Sequence, residues 1–381
     1  MTIAIGGFST DWSVSPVLNV EASRLYGRDI FKKGIKEATF GGTWMQRGAM
    51  PLMELNKHEY ENHLSFKFRV TKDGSIETMD PEGNWHSPQI WFSQRWMQQD
   101  ADEMVRRARA TGQICIADLD DAFHVLPKTN IASQSTDPKV NPTFNRVHYW
   151  KMLAACDAVT VSTEPLKREM ERIGVPAFVV RNAIHLDQWI PNDPGNGSIG
   201  WIGGIQWRSE DLAQLRCVGL PSFLREYGLP IYHGGDSEVE GVEKLWQQVG
   251  VDPKETQCLT APLCHIAEYP KLWDPVAISL IPLQRCAFND SKSWLKQLES
   301  CAKGVPYIVS AKFPEQQLLI DEGTAGRVAR NDKPSQWIDH LTELLDPEVR
   351  RLEGKINRAV AERHDIKDRW TDWDEVFRQF V

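Results

Sequence analysis

The side chains in this chain best spaced to do chemistry together lie between Phe288 and Pro306, read FNDSKSWLKQLESCAKGVP. Asn289, Asp290 and Ser291 are helix-capping residue types; a helical pattern then runs to Lys303, and Gly304 is the type that ends one. On such a helix Lys292, Lys296 and Glu299 share a face at i, i+4 and i+7. Leu295, Leu298 and Ala302 form an adjacent apolar stripe. The run before it, Val276 to Leu283 (VAISLIPL), reads as a buried strand ending in a loop. A strand end, a helix N-terminus and a first-turn lysine make an anion site, because free backbone N–H groups and the helix dipole favour a phosphate there. A carboxylate two turns further in suits the two hydroxyls of a ribose. The pattern points to a nucleotide diphosphate lying along the helix. A solvated charged face is the commoner reason for Lys and Glu at this spacing, and the helix alone does not choose.

The elements that must position these residues alternate strand and helix. From about residue 88 the chain offers strands at Gln89–Ser93, Gln113–Ala117, Ala158–Ser162 and Ala177–Arg181. Helices fall at Asp100–Ala110, up to Cys156, and at Glu164–Ile173 with Thr163 as cap, while Pro127–Pro142 reads as a long polar loop. This rhythm predicts a parallel sheet covered on both faces. Ile190–Ser198 (IPNDPGNGS) has the composition of a domain boundary. A second series follows, with strands at Ile199–Ile202, Pro230–His233, Ala277–Ile281, Tyr307–Ser310 and Gly326–Val328. The expected architecture is α/β: two Rossmann-like domains, 1–190 and 191–365, facing a cleft. Trp370, Trp373, Val376 and Phe377 have helical apolar spacing, so the segment 366–381 is expected to pack back on the first domain. Residues 1–87 carry few clean strands.

Composition bounds the function. A chain of 381 residues is comfortable for two domains, and 41% hydrophobic with 25% charged residues is ordinary for a globular protein. A net charge of −8 argues against a broad nucleic-acid surface. No run reaches membrane-spanning length and the first residues lack a basic-then-apolar signal. The 7 cysteines form no CxxC pair, which argues against a zinc site or a disulfide framework and points to a reduced, cytoplasmic setting. The 15 tryptophans offer flat faces for sugar C–H surfaces, although core packing is the ordinary use of any one of them.

Three runs in order carry a resemblance. CDAVTVSTEPLKREMERIGVPAFVVRNAIHLDQW (Cys156–Trp189), IGWIGGIQWRSEDL (Ile199–Leu212) and FNDSKSWLKQLESCAKGVPYIVS (Phe288–Ser310) resemble GT-B glycosyltransferases of the retaining family 4 type, over roughly residues 88–381. The resemblance implies a nucleotide-sugar donor bound by the second domain. Gly203 and Gly204 would let the backbone approach the diphosphate. Arg208 and Lys292 would hold it and stabilise the departing nucleotide, with Asp290 and Ser291 at the same helix entry. Glu299 matches the ribose-binding second Glu of the family's Glu-x7-Glu pattern. The first Glu falls on Ser291, a departure that bears on which sugar is carried.

Other residues are candidates on weaker grounds. Asp118-Leu119-Asp120 is formally a DxD, the metal motif of the other major glycosyltransferase fold, but the second half implies the metal-independent one. Asp118, Asp120 and Asp121, with His124 beyond, are expected either to orient or deprotonate an acceptor hydroxyl, or to form a hydrogen-bonded acidic turn. Arg95 is either a ligand contact at a strand end or a partner of that turn. The run His233–Asp236 and the residues Pro262 and His265 would wall the nucleotide base, or be ordinary loops.

The expected activity is therefore transfer of a sugar from a nucleotide-diphosphate donor to a hydroxyl acceptor, with retention implied by the resemblance. No cofactor or metal is expected beyond the donor. The acceptor, whether protein, glycan or lipid headgroup, is not legible. A nucleotide-sugar 2-epimerase and a catalytically silent nucleotide-sugar-binding protein remain the rival readings.

Overall fold

Strand segments buried along their whole length, such as Ile90–Gln94, Ala158–Val161 and Val276–Ile281, are the signature of parallel sheets covered on both faces. The computed structural model describes residues 3–9, 12–14, 38–40, 42–58, 60–65, 68–79, 84–205, 208–235, 245–262, 264 and 266–381. Its contacts divide the chain into two units. The first holds Met1–His124, Gln134–Ala183 and Ile366–Val381, and the second Val125–Ser133 and Ile184–Asp365.

The first unit is built on six parallel strands: β1 (Ile3–Ser9), β2 (Tyr60–Ser65), β3 (Ile90–Gln94), β4 (Ile114–Leu119), β5 (Ala158–Val161) and β6 (Ala177–Val179). Their order across the sheet is β6-β5-β4-β3-β1-β2. Thr163, expected as a cap, accepts from the N–H of Leu166, and the Asn145 side chain accepts from the N–H groups of Val147 and His148. The C-terminal helix α11 (Ile366–Phe377) lies in this unit. It buries Trp373 and Phe377 edge-on against Phe92 and ties Asp374 to the Tyr60 hydroxyl at 2.6 Å. Residues 1–87 contribute β1, β2, a small antiparallel sheet (Phe68–Val70, Ile76–Met79, Trp85–His86) and a π-helical stretch, Met45–Ala49.

The second unit repeats the plan with β7 (Ser198–Ile202), β8 (Ile231–Gly234), β9 (Cys258–Ala261), β10 (Val276–Ile281), β11 (Tyr307–Ser310) and β12 (Arg327–Ala329), in the order β9-β8-β7-β10-β11-β12. Side chains alternate between its two faces with the strand period. Ile199, Leu280 and Ile308 feed one apolar core; Ile202, Ile281 and Val309 feed the other. The main segment of this unit runs from Ile184 to Asp365, and those two residues bridge. The Pro/Gly-rich segment 190–198 is strapped inside the unit: Arg350 donates to the carbonyls of Pro194 and Gly195, and Lys303 to that of Ile190.

Three local expectations change. The helix expected from Asn289 to Lys303 is split into a 3-10 turn, Asn289–Ser291, an extended Lys292, and α7 (Leu295–Ala302). The reason is visible: the Gln316 amide donates to the carbonyls of both Lys292 and Ser293 at 3.0 Å, engaging the oxygens a continuous helix would use. Asp118 lies inside β4 and not in a turn after it, because β4 runs on to Leu119. The expected loop 127–142 contains a short helix, Ile131–Ser135, and its first part packs with the second unit.

Candidate functional site

In the second sheet the strand order reverses between β7 and β10, since successive strands are added outward from β7 on one side and then from β10 on the other. Open α/β sheets bind ligands outside the carboxyl ends of strands at that reversal. There the structure has a cavity lined by Trp201 and Ile202 from the end of β7, by Ser279 to Pro282 from β10, and by Trp273, Arg208 and Lys296. Two cations thus border the place where topology puts a ligand.

Each cation arrives by a local rule. Gly203, at φ +141, takes the chain through a turn after β7 that a side chain would strain. Arg208 follows as the N-cap of α5 (Ser209–Cys217). Lys296 sits in the first turn of α7, and Glu299 one turn on. Their side chains meet: Lys296 Nζ lies 2.7 Å from Glu299 Oε2, which also accepts from the Tyr269 hydroxyl at 2.9 Å. Glu299 is 2% exposed. Burial pulls the Lys296 ammonium below the usual lysine range, the Glu299 carboxylate opposes that, and Arg208 adds to it. Burial also raises the Tyr269 hydroxyl well above its ordinary value, with Glu299 acting the same way. A part-buried ammonium beside a second cation gains from a further anion, which is what a diphosphate supplies.

The other residues expected from sequence distribute unevenly. Lys292 stands outside α7 with its ammonium 4.2 Å over the Phe288 ring. The N–H of Gly203 donates to the carbonyl of Gly234 at 2.9 Å, and Gly204 follows it directly. Asp290 lies 3.3 Å from Arg285. Ser291 is buried in the 3-10 turn. Pro262 lies just past the end of β9, while His265 and Asp236 fall outside the described residues. His233 stacks on Trp201, ring centroids 4.9 Å apart, and so backs the cavity.

In the first unit the acidic residues separate by environment. Register sets Gln94, Asp118 and Thr160 side by side on three strands. Asp118, fully buried, accepts from Thr160 Oγ1 at 2.8 Å, Gln94 Nε2 at 3.1 Å and Arg47 Nη2 at 2.7 Å. Arg47, 2% exposed, also donates to the carbonyl of Val180 and lies under the Trp373 ring at 4.9 Å. Asp118 is thereby committed to holding strands, π-helix and C-terminal helix together. Asp120 is gripped by Arg95 through Nη2 at 2.5 Å and Nε at 3.2 Å, and Arg95 adopts φ 53 while also donating to Thr43. Of the two sequence readings of Arg95, the structure realises the ion pair. Asp121 follows at the strand end, its carbonyl accepting from Phe123. His124 lies 3.5 Å from Glu169 and beside the Trp150 ring.

Sequence reasoning did not single out Tyr269 or Arg47. No local pattern marks Tyr269, which reaches Glu299 only because Tyr269–Trp273 forms a 3-10 turn ahead of β10. Arg47 sits in a stretch without periodic signal. Lys296 was on the expected helix face, yet the family pattern drew attention to Lys292.

No known protein-family description matches this sequence, and no curated protein does. Solved structures do resemble the fold. HepE from Anabaena, in complex with UDP-glucose, superposes over 100% of both chains with a TM-score of 0.57 at 11% identity. A glycosyltransferase from Rickettsia africae ESF-5 covers 100% of this chain and 98% of its own, with a TM-score of 0.55 and 9% identity. Sucrose-phosphate synthase from Thermosynechococcus elongatus covers 77% and 73%, with a TM-score of 0.51 and 13% identity. At such identities the likeness speaks for architecture: the chain has the GT-B fold, an α/β arrangement of two Rossmann-like domains.

Proposed function

From a GT-B fold with two cations at its second switch point, we propose that the protein is a glycosyltransferase. It would move a sugar from a nucleotide diphosphate to an acceptor hydroxyl. The observation that carries this reading is that Arg208 and Lys296 border one cavity where β7 and β10 diverge, with the Glu299 carboxylate bonded to Lys296. The diphosphate would bind against these cations and the first turn of α5, Lys292 adding charge beside Phe288, and Glu299 would take the ribose hydroxyls.

In the transfer, the bond from the anomeric carbon to the diphosphate oxygen breaks while the acceptor oxygen bonds to that carbon. The leaving diphosphate keeps the electron pair, and Arg208 and Lys296 stabilise its charge in place before the reaction begins. The acceptor proton would pass to the leaving phosphate. Within the first unit, Asp120, which Arg95 orients, and Asp121 would hydrogen-bond an acceptor hydroxyl, with Asp118 as a buried strut beneath them. Retention of configuration and metal independence belong to this proposal through the family resemblance, as does the absence of any cofactor besides the donor.

The test is a thermal-shift screen with UDP-, GDP-, ADP- and dTDP-glucose, followed by assay of nucleoside diphosphate release. One donor raising the unfolding midpoint and being slowly hydrolysed without acceptor supports the reading. Binding without any turnover, or interconversion of free nucleotide sugars, would overturn it in favour of a silent binding protein or an epimerase.

A further inference from the structure

A second cavity in the same unit shares Arg208 with the first and is otherwise lined by different groups, among them Asp211, Gln284, Phe288, Asn289 and Thr129. Asn289 is 3% exposed, and its orientation is fixed by what it donates: Nδ2 gives to Asp211 Oδ1 at 2.6 Å and to the Gln284 carbonyl at 2.9 Å. Its Oδ1 is buried and accepts no hydrogen bond. Asp211 is itself committed, Oδ1 also accepting from the Gln284 N–H at 2.7 Å and Oδ2 lying 3.7 Å from Arg208. A buried carbonyl oxygen without a donor is costly, so its presence beside a cavity marks where a ligand's donor belongs.

We infer that this second cavity receives the transferred sugar and that Asn289 Oδ1 accepts a hydrogen bond from one of its hydroxyls. The inference rests on the donor reading above. Arg208 borders both cavities, so a diphosphate at Arg208 has one substituent on each side. Glu299 lies with Lys296 on the first cavity's side, which assigns the ribose there and leaves the sugar to the second. The chemistry agrees: a sugar hydroxyl is the donor that Oδ1 lacks, and the Phe288 ring gives an apolar wall for a pyranose face.

The experiment compares wild type and Asn289→Ala for binding of the nucleotide sugar selected by the screen and of the same nucleoside diphosphate without sugar. The variant should bind the nucleotide sugar about tenfold more weakly, the factor one hydrogen bond supplies, and the free diphosphate within about twofold of wild type. An equal loss for both ligands would overturn the inference, because Asn289 would then be acting through Asp211 and Arg208. Single-deoxy analogues of the donor sugar, titrated on wild type, decide the matter even if the variant fails to fold. One deoxy position should cost about tenfold, and no position costing more than about twofold would also overturn it. A wild type that binds none of the nucleotide sugars sinks the donor reading and this assignment together. Binding of the free diphosphate with no contribution from the sugar sinks this assignment alone.

Discussion

Replacing Asp118, whose carboxylate holds a buried guanidinium, gives a quantitative test of its structural role. The carboxylate is fully buried and holds the Arg47 guanidinium, 2% exposed, at 2.7 Å. Asp118→Ala would leave that guanidinium in the interior with the Val180 carbonyl and, at 3.4 Å, Asn182 Oδ1. Removing one partner of a buried ion pair costs about 3–5 kcal/mol, a large part of the roughly 5–15 kcal/mol that holds a typical domain together. With a urea dependence of about 2–3 kcal/mol per molar, the midpoint should fall by about 1–2.5 M. Urea unfolding followed by tryptophan fluorescence and circular dichroism reads this directly. The double variant Arg47→Leu with Asp118→Leu removes both charges and should be less destabilised than the sum of its singles by several kcal/mol. A single variant within about 1 kcal/mol of wild type, or strictly additive singles, would refute the view of Asp118 as a strut.

Two further outcomes follow from other titratable groups. Burial holds the His124 imidazole below the usual histidine range, with Glu169 opposing and Arg172 reinforcing the effect. A depressed histidine favours the neutral form in the fold, so its stabilisation is complete above about pH 6.5 and is lost as pH falls through that value toward the folded pKa. The midpoint of wild type should therefore drop more than that of His124→Gln between pH 7.5 and 5.5; parallel curves would contradict this. Burial pushes the Cys115 thiol up to about 12 and raises Cys156 and Cys301 as well, whereas Cys217 is exposed. A thiol reagent at pH 8 should label Cys217 in the native protein and the other three only after unfolding, and native labelling of Cys115 would refute their burial.

Much of the fold was legible because apolar runs and caps are local signals. The strands from Ile90 onward, the cap Thr163 and the helix-ending Gly304 at φ 64 all follow from residue type and spacing. What escaped depends on partners distant in sequence. The break before α7 comes from Gln316, whose amide reaches back to Lys292 and Ser293. The pairing of Glu299 with Tyr269, and of Asp118 with Arg47, joins residues whose neighbourhood only the folded chain defines. A pair of aspartates one residue apart looks alike in sequence. Asp118, inside β4, is turned into the interior, and Asp120, just past the strand's end, meets Arg95.

Nucleotide binding at the two cations is tested most directly by calorimetric titration of UDP, GDP, ADP and dTDP into the wild-type protein, Arg208→Met and Lys296→Met. One nucleotide should bind wild type, and each substitution should weaken it by about 10- to 150-fold, the worth of a charge-assisted hydrogen bond of about 1.5–3 kcal/mol. Binding by none of the four, or affinities in both variants within about twofold of wild type, would contradict it.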